Sequence, residues 1–231
     1  METLVAFGSL AAAGYLLATA DAPVTHEHVD GTLVDFTVQG CTDDVALAVK
    51  NGYRLIELHV YADEQDQPIV KNVSFESCCI DIVNDAFPSD TPLILSIVPH
   101  TESSFTLNRI AYHIKTTVRK HLVQGSVHGK TLGELANRIV IVSGSEVRGT
   151  ELEPLINLSW NDSHLRRLSY QQAAHPRDPA ELRGFAAKNI VIVAPDQAFA
   201  RFKIMDDVYA YGCQWNLCPT PQSRPGFISR G

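Results

Sequence analysis

At 231 residues and 45% hydrophobic side chains, the chain is long enough for one domain with a full core, within the size range of a compact (β/α)₈ barrel. A formal net charge of −7, with no block of lysines or arginines, argues against nucleic acid as a partner and against a polybasic membrane patch. Lipid contact, if the chain makes any, has to come from elsewhere.

The N-terminus is one such place. Residues 4–20 carry no charge between Glu2 and Asp21, a run at the lower edge for a membrane span, and Ala18-Thr19-Ala20 imitates a cleavage site. Met1-Glu2-Thr3 lacks the positive charge of a signal peptide. A signal, an anchor and an Ala-rich helix packed on the domain therefore stay open for residues 1–22. Membrane association or secretion is expected on the first two, a cytoplasmic life on the third. Residues 23–227 are expected to form the domain and 228–231 a tail. Three N-x-S/T triplets, at Asn72, Asn157 and Asn161, would permit a secreted life. Cys41, Cys78, Cys79, Cys213 and Cys218 show neither C-x-x-C spacing nor an even count, so they predict no zinc site and no disulfide framework.

After a loop carrying His26 and His28, the sequence predicts a strand at Leu33–Val38, a break at Gly40-Cys41-Thr42, and a helix over Asp44–Lys50 capped by Thr42 or Asp43. A second strand, Tyr53–Tyr61, follows, then a third, Ile69–Lys71. Ser77–Phe87 reads as a helix with Ile80, Val83, Asn84 and Phe87 on one face and one of its two cysteines buried. The near-continuous apolar run Leu93–Val98 suits a parallel strand covered on both faces. A long helix is expected over Ser104–Leu122, then strands at Arg138–Val142, Leu165–Ser169, Asn189–Ala194 and Gly212–Leu217, with a helix over Asp178–Lys188 before the third of these. Pro219–Gly231 carries three prolines and no pattern, and reads as loop. Eight strands with intervening helices predict an α/β fold, a closed parallel (β/α)₈ barrel.

The strand Tyr53–Tyr61 carries the chemistry. Side chains alternate across a strand, so Ile56, Leu58 and Val60 share one face while Leu55, Glu57, His59 and Tyr61 share the other. A carboxylate and an imidazole thus point the same way from a buried strand. Burial of such groups is costly unless a proton, a metal or a hydrogen bond satisfies them, so the pair is either a site or a structural Glu–His pair. Barrel chemistry sits at the C-terminal ends of the strands, which collects Glu57, His59, Lys71, Asn72, Val98, His100, Ser143, Asp196 and Trp215. Trp215 reads as core, Arg54 as half of a salt bridge at the strand start, and Asp63, Glu64 and Asp66 as a solvated turn.

Three stretches, GYRLIELHVYADEQDQPIVKN, AFPSDTPLILSIVPH and YAYGCQWNLCPTP, resemble in order and spacing the X domain of phosphatidylinositol-specific phospholipase C, within the phospholipase-C-like phosphodiesterases, and are similar to its divergent viral and protist members. The resemblance implies a barrel that cleaves a phosphodiester with two histidines as acid and base and, in the eukaryotic branch, a calcium ion held by Asn and several carboxylates. Carried over residue by residue, the first histidine falls in Gly40–Asp43 and the second at Lys71-Asn72, where this chain has none. Of the metal carboxylates, the first matches Glu57, the second His59 and another Val98. Calcium is thus a candidate cofactor with an incomplete ligand set, Glu57 and His59.

The resemblance therefore implies a phosphoric diester hydrolase fold with impaired catalysis that acts on or binds a phosphoinositide or inositol phosphate. Lys71, Asn72, His100, Arg201 and Lys203 are its candidate contacts, with a membrane surface reached through the N-terminus. One alternative is an active phosphodiesterase on phosphoinositides or glycerophosphodiesters, using His59 with His26 or His28, or with Lys71 in place of the second histidine beside Glu57. Another is a non-catalytic interaction protein.

Overall fold

The computed structural model describes residues 30–160, 162–196, 205–218 and 226–230. Its strands are β1 Phe36–Thr42, β2 Leu55–Ala62, β3 Pro68–Val70, β4 Val73–Ser74, β5 Leu93–Pro99, β6 Ile139–Ser143, β7 Leu158–Ser159, β8 Leu165–Ser169, β9 Ile190–Ala194, β10 Trp215–Cys218 and β11 Gly226–Ser229. Its helices are α1 Val45–Lys50, α2 Phe75–Asp85, α3 Ser104–Thr117, α4 Tyr170–Ala174, α5 Pro179–Ala186 and α6 Met205–Ala210. The expected N-terminal segment, His26, His28, Asn161, Arg201 and Lys203 lie outside the described residues. Within those residues, no helix is long and apolar enough to cross a membrane.

Strands β7, β6, β5, β2, β1, β10, β9 and β8 pair in that order, each with its neighbour in parallel. This is the expected (β/α)₈ architecture, nearly closed: β7 and β8 approach at the seam without a shared ladder among the described residues. The expected third barrel strand, Ile69–Lys71, is not in the ring: β3 folds back antiparallel on the end of β2 across the short Asp63–Gln67 turn, and β7 takes the eighth place. Alternation sorts the side chains as expected. Leu55, Ile94, Val140, Leu165, Ile192, Trp215 and Leu217 fill the interior, while Ile56, Leu58, Val60, Leu95 and Ile141 pack outward on α1, α2 and α3. Trp215 is core, as its position in the sequence suggests.

Several boundaries differ from expectation, each for a local reason. Leu33–Asp35 form a 3₁₀ turn, held by the Asp35 carboxylate accepting from the Thr32 amide and hydroxyl at 2.7 and 2.8 Å. The first strand therefore starts later and runs through Gly40, the expected break. Glycine belongs there because a Cβ would lie 2.5 Å from the Leu55 carbonyl oxygen of the neighbouring strand. The α1 cap is Asp44, accepting from the Leu47 amide, rather than Thr42 or Asp43. Helix α2 begins at Phe75 behind its Ser74 cap and buries Phe75, Cys78, Cys79 and Ile82, so both cysteines are inside and Ile80 is exposed. Helix α3 ends at Thr117, and Arg119–His121 continue as a 3₁₀ turn. Arg54 makes no salt bridge among the described residues. It donates at 2.8 Å to the carbonyl of Ala86, the C-cap of α2, where a cation suits the helix dipole. Asp63 is more than solvated, since its carboxylate accepts from the amides of Gln65 and Gln67 and shapes the turn after β2.

The expectation of a patternless C-terminus fails for Gly226–Ser229. This segment returns antiparallel to the first half of β1, pairing Val38 with Phe227 and placing the Phe227 ring in the barrel interior. The two-residue β7 is also absent from the sequence reading. It is held by Asn157, whose side chain accepts from the Ile141 amide at 2.8 Å and donates to the carbonyls of Val123 and Gly125. With its amide so committed, Asn157 is structural rather than a modification acceptor, whereas Asn72 lies exposed on the β3–β4 turn. Asn157→Ala should leave a strand amide without a partner and lower stability by about 1–3 kcal/mol in urea unfolding. Asn72→Ala should leave the midpoint unmoved.

Candidate active site

Three inward positions stack at the mouth of β2. Glu57 lies beside Ser96 of β5 in register, and His59 beside Val98. His100 continues the inward parity of Ser96 and Val98, its amide donating to the Val60 carbonyl at 2.7 Å. Glu57 is fully buried, and its carboxylate is saturated. Arg167, reaching across from β8, donates Nε to Oε2 at 3.0 Å and Nη2 to Oε1 at 2.6 Å, and Ser96 Oγ donates to Oε2 at 3.0 Å. His59 Nε2 lies 3.3 Å from Oε1. On its other side, His59 Nδ1 is 2.7 Å from His100 Nε2, and the His100 ring stacks on Tyr61 with centroids 4.5 Å apart. The turn after β1 completes the support: Asp43, with a positive φ of 56°, accepts the His59 amide at 2.7 Å.

These contacts pull the ionisations apart. Burial alone would raise the Glu57 carboxyl, but the bonds from His59 and Arg167 and the Arg167 charge hold it below the usual carboxylate range. The bond to Glu57 carries His59 above its usual range against the opposing effect of burial. Burial and the facing His59 push His100 down. A proton therefore resides on His59 before His100. A group with a raised folded pKa contributes stability that is complete below its unfolded value, near 6.5 for His59, and is lost as pH rises through the folded value. Proton-detected titration should find the His59 ring changing above that value and the His100 ring below it. The wild type should lose melting temperature as pH rises through that range, and His59→Ala should flatten the loss.

The sequence-derived candidates divide. Glu57, His59 and His100 come together. Lys71 and Asn72 sit exposed on the β3–β4 turn, Lys71 at a positive φ of 54°, and no hydrogen bond or ion pair joins either to the Glu57 cluster. The residue that sequence reasoning missed is Arg167. It shares parity with Leu165, a core position, but Arg166 shares parity with Leu168, so the run alone does not say which arginine faces inward. Trp160 lies beside it, with the guanidinium 5.8 Å from the ring centre.

Calcium does not fit these residues. It takes six to eight oxygens. Both Glu57 oxygens are filled by donors, one of them a cation, Asp43 is bonded to the His59 amide, and the third strand position is the apolar Val98. Among the described residues, no three His, Cys, Asp or Glu side chains converge to hold a metal.

The site is thus a carboxylate and imidazoles at the C-terminal mouth of the second strand of a nearly closed parallel α/β barrel. Residues 31–144 match the family model for phosphatidylinositol-specific phospholipase C, X domain. Over those residues the chain is similar to that X domain, and its barrel is of the phospholipase-C-like kind. Its structure is similar to the crystal structure of S. officinalis PLC21, with a TM-score of 0.69 at 15% identity, over 81% of this chain and 33% of that one. At that identity the likeness shows the fold, and the chain spans about a third of that structure's length. No curated protein sequence matches the chain.

Proposed function

We propose that this barrel binds the phosphorylated inositol head group of a phosphoinositide at its mouth and does not turn it over by the two-histidine, calcium-assisted route. The observation that carries the second half is the 2.7 Å contact between His59 Nδ1 and His100 Nε2. In-line displacement at phosphorus needs a proton acceptor at the entering oxygen and a donor at the leaving oxygen, on opposite sides of the phosphate. Two rings bonded to each other share one proton on one side. Lys71, exposed and outside the cluster, does not supply the opposite side. Losing one acid/base group costs about 10² to 10⁴ in rate, and losing both costs more.

Support for the first half comes from the X-domain match and from an imidazole whose ionisation favours an anion. Co-sedimentation tests it directly. The protein should pellet with phosphatidylcholine vesicles that contain phosphatidylinositol, and less with phosphatidylcholine alone, while releasing no inositol phosphate. His59→Ala should weaken the difference. Equal failure to pellet with both vesicles would remove the head-group reading and leave that of an interaction protein.

A further inference from the structure

We infer that His128 and His164 form a two-imidazole site for a transition-metal dication of the zinc or nickel class, one that clasps the seam of the barrel. His164 immediately precedes β8, at the N-terminal end of the ring and away from the mouth, and His128 lies on the connection from α3 to β6. The inference is therefore independent of the head-group reading above. The two ring centres are 4.3 Å apart, with the planes tilted by 59°. Both residues are exposed, and neither ring has a hydrogen-bond or ion-pair partner among the described residues. Each neutral imidazole thus keeps a lone pair that a metal can take.

The backbones that carry the rings are fixed on opposite sides of the seam. On the β6–β7 side, the Gly125 carbonyl accepts from the Asn157 side chain at 3.2 Å, Ser126 Oγ accepts from the His128 amide at 3.1 Å, and Val127 is buried between them and the ring. On the β8 side, the His164 carbonyl accepts from the Ile190 amide at 3.0 Å, and Leu165 is wholly buried. An ion held by both imidazoles would join two edges that share no ladder among the described residues. Two bonds of about 2.0–2.1 Å at the tetrahedral angle set ring centres roughly 5 Å apart, so the exposed rings need part only slightly. Water would complete the coordination, since no third His, Cys, Asp or Glu converges there among the described residues. Imidazole nitrogen suits zinc and nickel, whereas calcium and magnesium demand oxygen.

Zinc added to tag-free, EDTA-treated and dialysed protein tests the site by calorimetry and thermal melting. An ion that binds only the folded chain stabilises it by mass action. At about 100 times the Kd that calorimetry gives, zinc should raise the wild-type melting temperature by roughly 5–10 °C. Nickel should act alike, and magnesium should have no effect. His128→Ala and His164→Ala alter exposed side chains and should fold. Each should lose the rise, measured from its own melting temperature in EDTA. His59→Ala removes the imidazole contact at the mouth and should keep the rise, which separates the two histidine pairs. No rise in the wild type, a rise that survives in either seam variant, or a rise lost in His59→Ala instead would overturn the site.

Discussion

Arg167→Met should cost about 3–5 kcal/mol of folding stability. The reason lies in Glu57, which has no exposure of its own and depends on a guanidinium from the far side of the barrel. Removing that partner leaves an ionised carboxylate in the interior with only Ser96 and His59 to satisfy it. Urea unfolding at neutral pH measures the loss, and two controls separate charge from packing. A second change, Glu57→Gln, should restore most of the stability, because a neutral amide tolerates the site. Lowering the pH should also shrink the gap between variant and wild type, since the stranded carboxyl takes up a proton and sheds its charge. If the loss is unchanged in the double variant, the cross-barrel pair is not what holds these strands together.

Phe227→Ala should cost a comparable 3–5 kcal/mol, although the residue lies near the end of the chain. The ring is 2% exposed and meets Phe36 edge to face, with centroids 6.0 Å apart. β11 lies along the lower half of β1, where β2 has not yet begun, so Phe227 closes the bottom of the barrel. For a domain of this size the loss corresponds to a melting temperature lowered by roughly 6–20 °C. Ile228, half exposed on the opposite face, should tolerate alanine with little change. A Phe227→Ala protein that melts with the wild type would mean that the terminal strand is not part of the cooperative unit.

The strand β2 was legible because period-two alternation is steep in Leu55–Tyr61, with Ile, Leu and Val on one face and Glu and His on the other. The inward facing of Glu57 and His59 follows from that alone. Leu165–Ser169 was equally readable as a strand, but Leu-Arg-Arg-Leu does not say which arginine enters the barrel. That depends on the strands opposite, and Glu57 is 110 residues away in sequence. His100 was visible as a mouth residue, yet its bond to His59 was not, because register between β2 and β5 sets it. β7 and β11 were missed for a similar reason: two or four residues carry little pattern, and both segments are defined by the strands they meet. Cysteines 78 and 79 illustrate the limit on helices, where the buried face of α2 is fixed by α1 and α3 rather than by its own periodicity.

Release of inositol phosphate from phosphatidylinositol vesicles, followed with enzyme in excess and with either calcium or EDTA present, tests the central claim most directly. A mouth whose carboxylate is bound by Arg167 and whose two imidazoles share one proton predicts no release above the vesicle blank in either condition. Rapid release that requires calcium and disappears in Glu57→Gln would contradict it.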